Sequence, residues 1–384
     1  MARSKSPIKA RLEDWYLRRV PFPTTPYVDP FNADPLRNGS VFARELREAE
    51  IEKIRHVILK HGFASMVKPW SWMWAKKKVG GSLGMGKTAL LAYVTDQINQ
   101  DYGKRFFGSA VHWLAVYVPV LPAIKSVQDL AAVALTSVCS QARGTSVERR
   151  LLGRLRRKVI LLSPPGEYSA SVRNTSDSHF MDDKWLIDQG VDLSQLSAGV
   201  QKHLREWKVT SAYAQALASG TLQDYLGTVN SDPNLVPPRT ALANKALSFL
   251  LNDLARAAIA AEIKQVTFFL DDFYYLVRRT PLKDRIELAA DLRAFAVTGG
   301  ASFAAVRENV FSWVAVMHTH TASTFNAAWE TADLHKMAPL KLDAESSVVL
   351  NQFPVDKGRD LLYQLLLGPC RMRAWLDVFI SDPT

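Results

Sequence analysis

The stretch Gly81-Ser82-Leu83-Gly84-Met85-Gly86-Lys87-Thr88, followed by the apolar run from Ala89 to Ile98, decides how this chain is read. It meets the pattern G-x-x-x-x-G-K-S/T at every fixed position. Glycines let backbone N–H groups converge on phosphate oxygens, and the helix expected after them directs its positive end at the same anion. The Lys87 ammonium reaches terminal phosphates and the Thr88 hydroxyl serves a Mg²⁺ ion, so the backbone from Gly81 through Leu83, Met85 and Gly86 to Ala89 is the expected phosphate cradle. The preceding WSWMWAKKKVGG supplies the strand and loop entry that such a site requires.

Working outward, three more β-like runs appear at 111–120, 265–273 and 310–319, and a long helical pattern spans about 241–263. Strands that read as continuous apolar runs and alternate with helices predict an α/β fold with a mainly parallel sheet. Phe268-Phe269-Leu270-Asp271-Asp272 ends one strand in two carboxylates. Beside a phosphate loop, Asp271 is placed to hold the Mg²⁺ shell and Asp272 to polarise an attacking water.

Roughly 140 residues separate the second and third strands, more than a crossover needs, so an insertion is expected there. Within it, Val147 to Val159 reads as a basic helix and Ser163 to Asp183 as a polar, mobile loop, with further helices around 194–207 and 209–226. At the N-terminal end, the proline-rich segment 21–39 predicts an extended arm whose Phe22, Tyr27 and Phe31 dock onto the body. An amphipathic helix follows from Ser40 to His61. The segment 341–384 reads as short helices broken at Pro354 and at Gly368-Pro369. The resulting divisions are an arm and helix (1–60), the phosphate-loop half of a core (61–135), a mainly helical basic insertion (136–240), the Asp-pair half (241–340) and a small helical lid (341–384).

Composition narrows the class. The 384 residues carry 48 Lys and Arg against 37 Asp and Glu, a net charge of +11, with 48% hydrophobic residues, which is a globular balance and not a disordered one. Two cysteines, Cys139 and Cys370, cannot build a disulfide framework or a four-thiolate metal site. The apolar stretch Val111 to Ile124 is interrupted by His112, Pro119 and Pro122 and is too short to span a bilayer. The basic start lacks an apolar segment and a small-residue cleavage site, so cytoplasmic residence is expected.

The ordered set of Gly81 to Thr88, the strand ending in Asp271-Asp272, and a later strand ending in His318-Thr319-His320 resembles the AAA+ and STAND classes of P-loop ATPases. The likeness covers about 60–135 and 240–384. It implies a three-layer P-loop NTPase core with a C-terminal helical lid, ATP and Mg²⁺ as cofactors, and homo-oligomeric assembly that controls an effector protein in another chain, as in prokaryotic anti-phage defence or transposition. It also assigns γ-phosphate sensing to Thr319 or His320. Gly368-Pro369-Cys370-Arg371 is similar to the G-x-x-R start of a lid helix, which carries a nucleotide-contact role to Arg371. The likeness has gaps: Thr321 to Ala338 contains no arginine to act as a finger, leaving Arg285, Arg293 and Arg307 as candidates.

Seven basic residues and one acid fall between Arg143 and Lys158, a local excess of +6. On a helix Leu151, Leu152, Leu155 and Val159 line one face while Arg150, Arg154, Arg157 and Lys158 line another. That second face could neutralise the phosphates of duplex DNA, meet a protein partner, or simply be solvated. No helix-turn-helix or zinc-ligand module accompanies it. The leading expectation is a Mg²⁺-dependent ATPase acting on or near DNA without membrane contact; the alternative is a nucleotide-binding scaffold with little hydrolysis.

Overall fold

The computed structural model of the chain describes residues 28–32, 38, 44–63, 70–75, 86–108, 111–140, 145–231, 243–293, 310–336, 339–341 and 347–350. Among them, five strands form one parallel sheet: β1 (Trp70–Ala75), β2 (His112–Pro119), β3 (Ile263–Asp271), β4 (Phe311–His318) and β5 (Ser347–Leu350), in the order β2-β3-β4-β1-β5. The main helices are α1 (Glu48–Phe63), α2 (Lys87–Gln100), α3 (Val127–Cys139), α4 (Val147–Leu162), α5 (Leu193–Glu206), α6 (Ser211–Ala218), α7 (Leu222–Ser231), α8 (Ala243–Ala260), α9 (Tyr274–Arg279), α10 (Arg285–Arg293) and α11 (Thr319–Thr331). The α/β class expected from the sequence is what forms.

Strand residues alternate between two apolar faces, which is why the runs show no polar period. Trp113, Ala115 and Tyr117 of β2, Phe269 of β3, and Val314 and Val316 of β4 pack beneath Ile54 and Ile58 of α1 and Leu90, Val94 and Ile98 of α2. On the opposite face Leu114, Val116 and Val118, Phe268 and Leu270, and Trp313, Ala315 and Met317 meet α3, α8 and α11. Phe268 and Trp313 are register partners whose rings stack with centroids 4.4 Å apart. Truncating either to alanine should cost about 3–5 kcal/mol, because both are fully enclosed.

The free edge of β2 is closed by a side chain. Asn99 of α2 donates to the Ala115 carbonyl at 2.8 Å and accepts from the Ala115 N–H at 2.9 Å, copying the pairing of a neighbouring strand. An exposed edge would otherwise invite another chain.

The insertion is no detached unit. Leu151 and Leu155 of α4, Val200 and Leu204 of α5, and Tyr213 and Leu217 of α6 share one continuous core with α3, α8 and the sheet. The expected helix over 209–226 is two helices. Gly220 at φ +68 ends α6, and the Thr221 N–H returns to the Ala216 carbonyl. The Glu148 carboxylate then accepts the Leu222 N–H at 3.0 Å, capping α7 from a distant helix.

Two expectations need correction here. The segment Ser163 to Asp183 is not a loose loop but short helical turns at Ala170–Arg173 and Asp177–Met181. They are anchored because Val172 and Phe180 bury against Ile160, Leu186 and Leu196. Gly153 of α4 permits this approach, since a Cβ there would meet Met181 Cγ at 2.7 Å. The described part of 341–384 is likewise not a lid helix: Ser347–Leu350 is β5, pairing in parallel with β1. Its β-branched Val348 and Val349 fit a pleated ribbon better than a helix.

The basic helix is the third correction. Arg150 and Arg154 of α4 are buried, not part of an exposed stripe. Arg154 binds Asp177 at 3.1 Å and Glu262 at 3.2 Å, Arg157 also pairs with Asp177, and Lys158 pairs with Glu262. Arg150 donates from Nε to the Thr145 carbonyl at 3.3 Å. Arg154, Arg157 and Lys158 are paired with carboxylates near the start of β3 and Arg150 with a main-chain carbonyl, so the four do not form the free basic stripe read from the sequence.

Candidate functional site

In a parallel sheet every strand's carboxyl end opens on the same edge, and that edge is where α/β proteins bind ligands. Here β1 leads toward α2, β3 ends at Asp271, and β4 ends at His318. Burial of Leu90, Leu91, Val94 and Ile98 against the sheet fixes α2 so that its first turn sits on that edge. Gly86 precedes the helix at φ +75, a left-handed conformation in which a side chain would be strained, and the space where a Cβ would stand is open. Lys87 is buried, Thr88 half-buried and Ala89 buried in the first turn. Gly81, Ser82, Leu83, Gly84 and Met85 lie outside the described residues, as do Arg307 and Arg371.

The two motifs meet. Thr88 Oγ1 donates to Asp271 Oδ2 at 2.6 Å although 183 residues separate them. Tyr117 of β2 donates its hydroxyl to the same oxygen at 2.9 Å, and the Asp272 N–H donates to Asp271 Oδ1 at 3.0 Å. Burial pushes the Asp271 carboxyl above the usual aspartate range; the bonds from Thr88 and Tyr117 and the charge of Lys87 offset only part of that. Asp272, just past the strand, is pushed up to about 6, first by burial and then by its neighbour Asp271, with Lys87 opposing. Its φ of +54 is uncommon for a residue with a side chain, though aspartate tolerates it better than most.

Thr319 and His320 open α11 on the same edge, Thr319 half-buried and His320 exposed. Among the described residues neither is hydrogen-bonded to Lys87 or the Asp pair. His318, the last residue of β4, packs edge-on against the Tyr274 ring at 4.1 Å. Burial pushes its imidazole down to about 4, aided by Lys87 and Arg278, so the ring is neutral at pH 7. Two of the finger candidates are pinned to main chain elsewhere: Arg285 to the Thr280 and Thr324 carbonyls, and Arg293 to the Ala332 carbonyl.

Sequence reasoning passed over Tyr117, which sits in an aliphatic strand two residues before Pro119, the register partner of Asp271. A hydroxyl inside a fully apolar strand was the available signal, because a buried phenol needs a partner. Of the arm's aromatics, Phe31 stays exposed with its ring 5.9 Å from that of Tyr117; Phe22 and Tyr27 fall outside the described residues.

The donor set suits a hard cation. A hydroxyl and a carboxylate are the ligands Mg²⁺ accepts, and that ion completes its shell from phosphate and water instead of a protein cage. Among the described residues no cluster of three or more His, Cys, Asp or Glu side chains forms, and no described helix is long and apolar enough to cross a membrane. The sequence matches no protein-family model and no curated protein.

Proposed function

We propose that this chain is a Mg²⁺-dependent P-loop ATPase of AAA+/STAND type. The observation that carries the reading is the 2.6 Å contact of Thr88 Oγ1 with Asp271 Oδ2, which joins the phosphate-loop lysine-threonine pair to the acidic end of β3. Two independent motifs converge at one point on the ligand-binding edge of a parallel sheet.

Each residue has a chemical task. Lys87 places a positive charge among the terminal phosphate oxygens, held there by the rigid first turn of α2. Thr88 and Asp271 would hold Mg²⁺, and that ion would supply positive charge to offset charge growing on the phosphates. Tyr117 orients the Asp271 carboxylate through its hydroxyl. Asp272, with a value near 6, is mostly ionised at pH 7 yet basic enough to accept a proton from an attacking water. Neutral His318 adds no charge beside Lys87.

Nucleotide-dependent homo-oligomerisation, a partner effector in another chain and a defence or transposition setting follow from the ATPase class alone. A nucleotide-binding scaffold with little hydrolysis is favoured by one feature: Asp272 is a methylene shorter than glutamate and reaches water less readily. Steady-state phosphate release separates the two. The ATPase reading expects Mg²⁺-dependent turnover that falls by about 100-fold in Asp272→Asn; slow turnover indifferent to that change would leave the scaffold.

A further inference from the structure

Tyr117 reaches Asp271 at the end of a long lever. Its hydroxyl donates to Asp271 Oδ2 at 2.9 Å, the same oxygen that takes the Thr88 hydroxyl at 2.6 Å. The hydroxyl stands at the far end of a ring set by two side-chain torsions, and a hydrogen bond weakens steeply with distance and angle. A small swing of the ring therefore costs the bond, so whatever packs on that ring bears on the carboxylate.

One such neighbour comes from the N-terminal arm. Asp29-Pro30-Phe31-Asn32 has aspartate first and proline second, the order that a tight turn favours. The turn closes as that order requires: the Asn32 N–H donates to the Asp29 carbonyl at 3.0 Å, and the Phe31 N–H donates to Asp29 Oδ1 at 3.0 Å. Pro30 is buried, which seats the turn on the body. Phe31 then lies with its ring 5.9 Å from that of Tyr117 at an interplanar angle of 59°, a tilted aromatic pair. Tyr117 is 6% exposed and Phe31 41%, so Phe31 is the solvent-side member of the pair.

We propose that Phe31 is a positioning residue for the metal site: packed on the Tyr117 ring, it keeps the phenol hydroxyl on Asp271 and so raises the affinity for Mg²⁺. This rests on the ATPase reading for what the site holds. The influence passes from Phe31 to Tyr117 by ring contact and from Tyr117 to Asp271 by hydrogen bond, and it needs the hydroxyl.

The test is a double-mutant cycle in the full chain, with wild type, Phe31→Ala, Tyr117→Phe and the double variant. Two quantities are measured: the melting temperature, and the binding of Mn²⁺, a paramagnetic probe for the Mg²⁺ position, with a nonhydrolysable ATP analogue present. Loss of the aromatic contact predicts that Phe31→Ala weakens Mn²⁺ binding about threefold. Phe31→Tyr, which keeps the ring, should bind as wild type does. In the Tyr117→Phe background the ring remains and the hydroxyl is gone, so Phe31→Ala should leave Mn²⁺ binding unchanged there while lowering the melting temperature as much as it does in wild type. A merely structural role would shift Mn²⁺ binding equally in both backgrounds or in neither, and either result would overturn the proposal alone. A wild type that binds neither the analogue nor Mn²⁺ would overturn it together with the ATPase reading.

Discussion

The two edges of the sheet each gather buried charge, and they treat it in opposite ways. Where the strands begin, Asp177 and Glu262 lie below the ordinary carboxylate range. Burial alone would raise Asp177, but Arg154 and Arg157 outweigh it; for Glu262 the hydrogen bond from Lys158 dominates. Where the strands end, Asp271 and Asp272 are raised, because burial exceeds what Lys87, Thr88 and Tyr117 return. The first edge is electrically complete and holds the insertion to the core. Among the described residues the second is left short of positive charge, which a divalent cation would satisfy. Charge density alone therefore does not mark a site; the sign of the carboxylate shift separates a brace from a receptor.

The most severe break in this contrast is Lys87→Ala, which removes the cation at the strand ends. ATP turnover should fall about 1,000-fold by phosphate release, and an unchanged rate would mean that the edge is not catalytic. At the other edge, Arg154→Ala leaves two carboxylates underpaired and should lower stability by about 3 kcal/mol in urea unfolding. Acid sharpens the same point. Asp177 is held below its ordinary 3.8, so its contribution is fully present above that pH and is lost as pH falls through the lower folded value. Asp177→Asn should flatten that acid limb of the stability curve. The smallest effect is expected from Tyr117→Phe, which deletes one hydrogen bond to Asp271. A loss of about 1 kcal/mol, near fivefold in the Mg²⁺ concentration needed for turnover, is anticipated; no shift would remove Tyr117 from the site.

Much of this was legible in the chain. The strands at 112–119, 263–271 and 311–318 fall within two residues of the apolar runs, because a parallel strand covered on both faces is mostly apolar, with the few buried polar groups such as Thr267 and Ser312 bonded to each other. Lys87 and Thr88 were legible because their pattern with the preceding glycines is local, and Asp271 because it closes an apolar run; that the two segments meet across 183 residues was not. The fate of α4 was not. Its arginines alternate with leucines as on a solvated amphipathic helix, but the carboxylate facing Arg154 is Glu262, 108 residues away. No helical period states what stands opposite. Strand β5, only four residues long, was equally hidden: a run that short carries no usable period, and pairing with β1 decides it.

The amino-acid order by itself set the α/β alternation, the glycine turn before Lys87 and the acidic end of β3, since each depends on side chains within one turn or one strand of each other. Tertiary structure alone decided which charges each cation meets. Arg154 is neutralised by Asp177 and Glu262, whereas Lys87 lies near two carboxylates that burial raises. The physical reason is that desolvation and Coulomb attraction act through space, so a side chain's charge state is fixed by neighbours that the folded sheet, and not the chain's own spacing, brings to it.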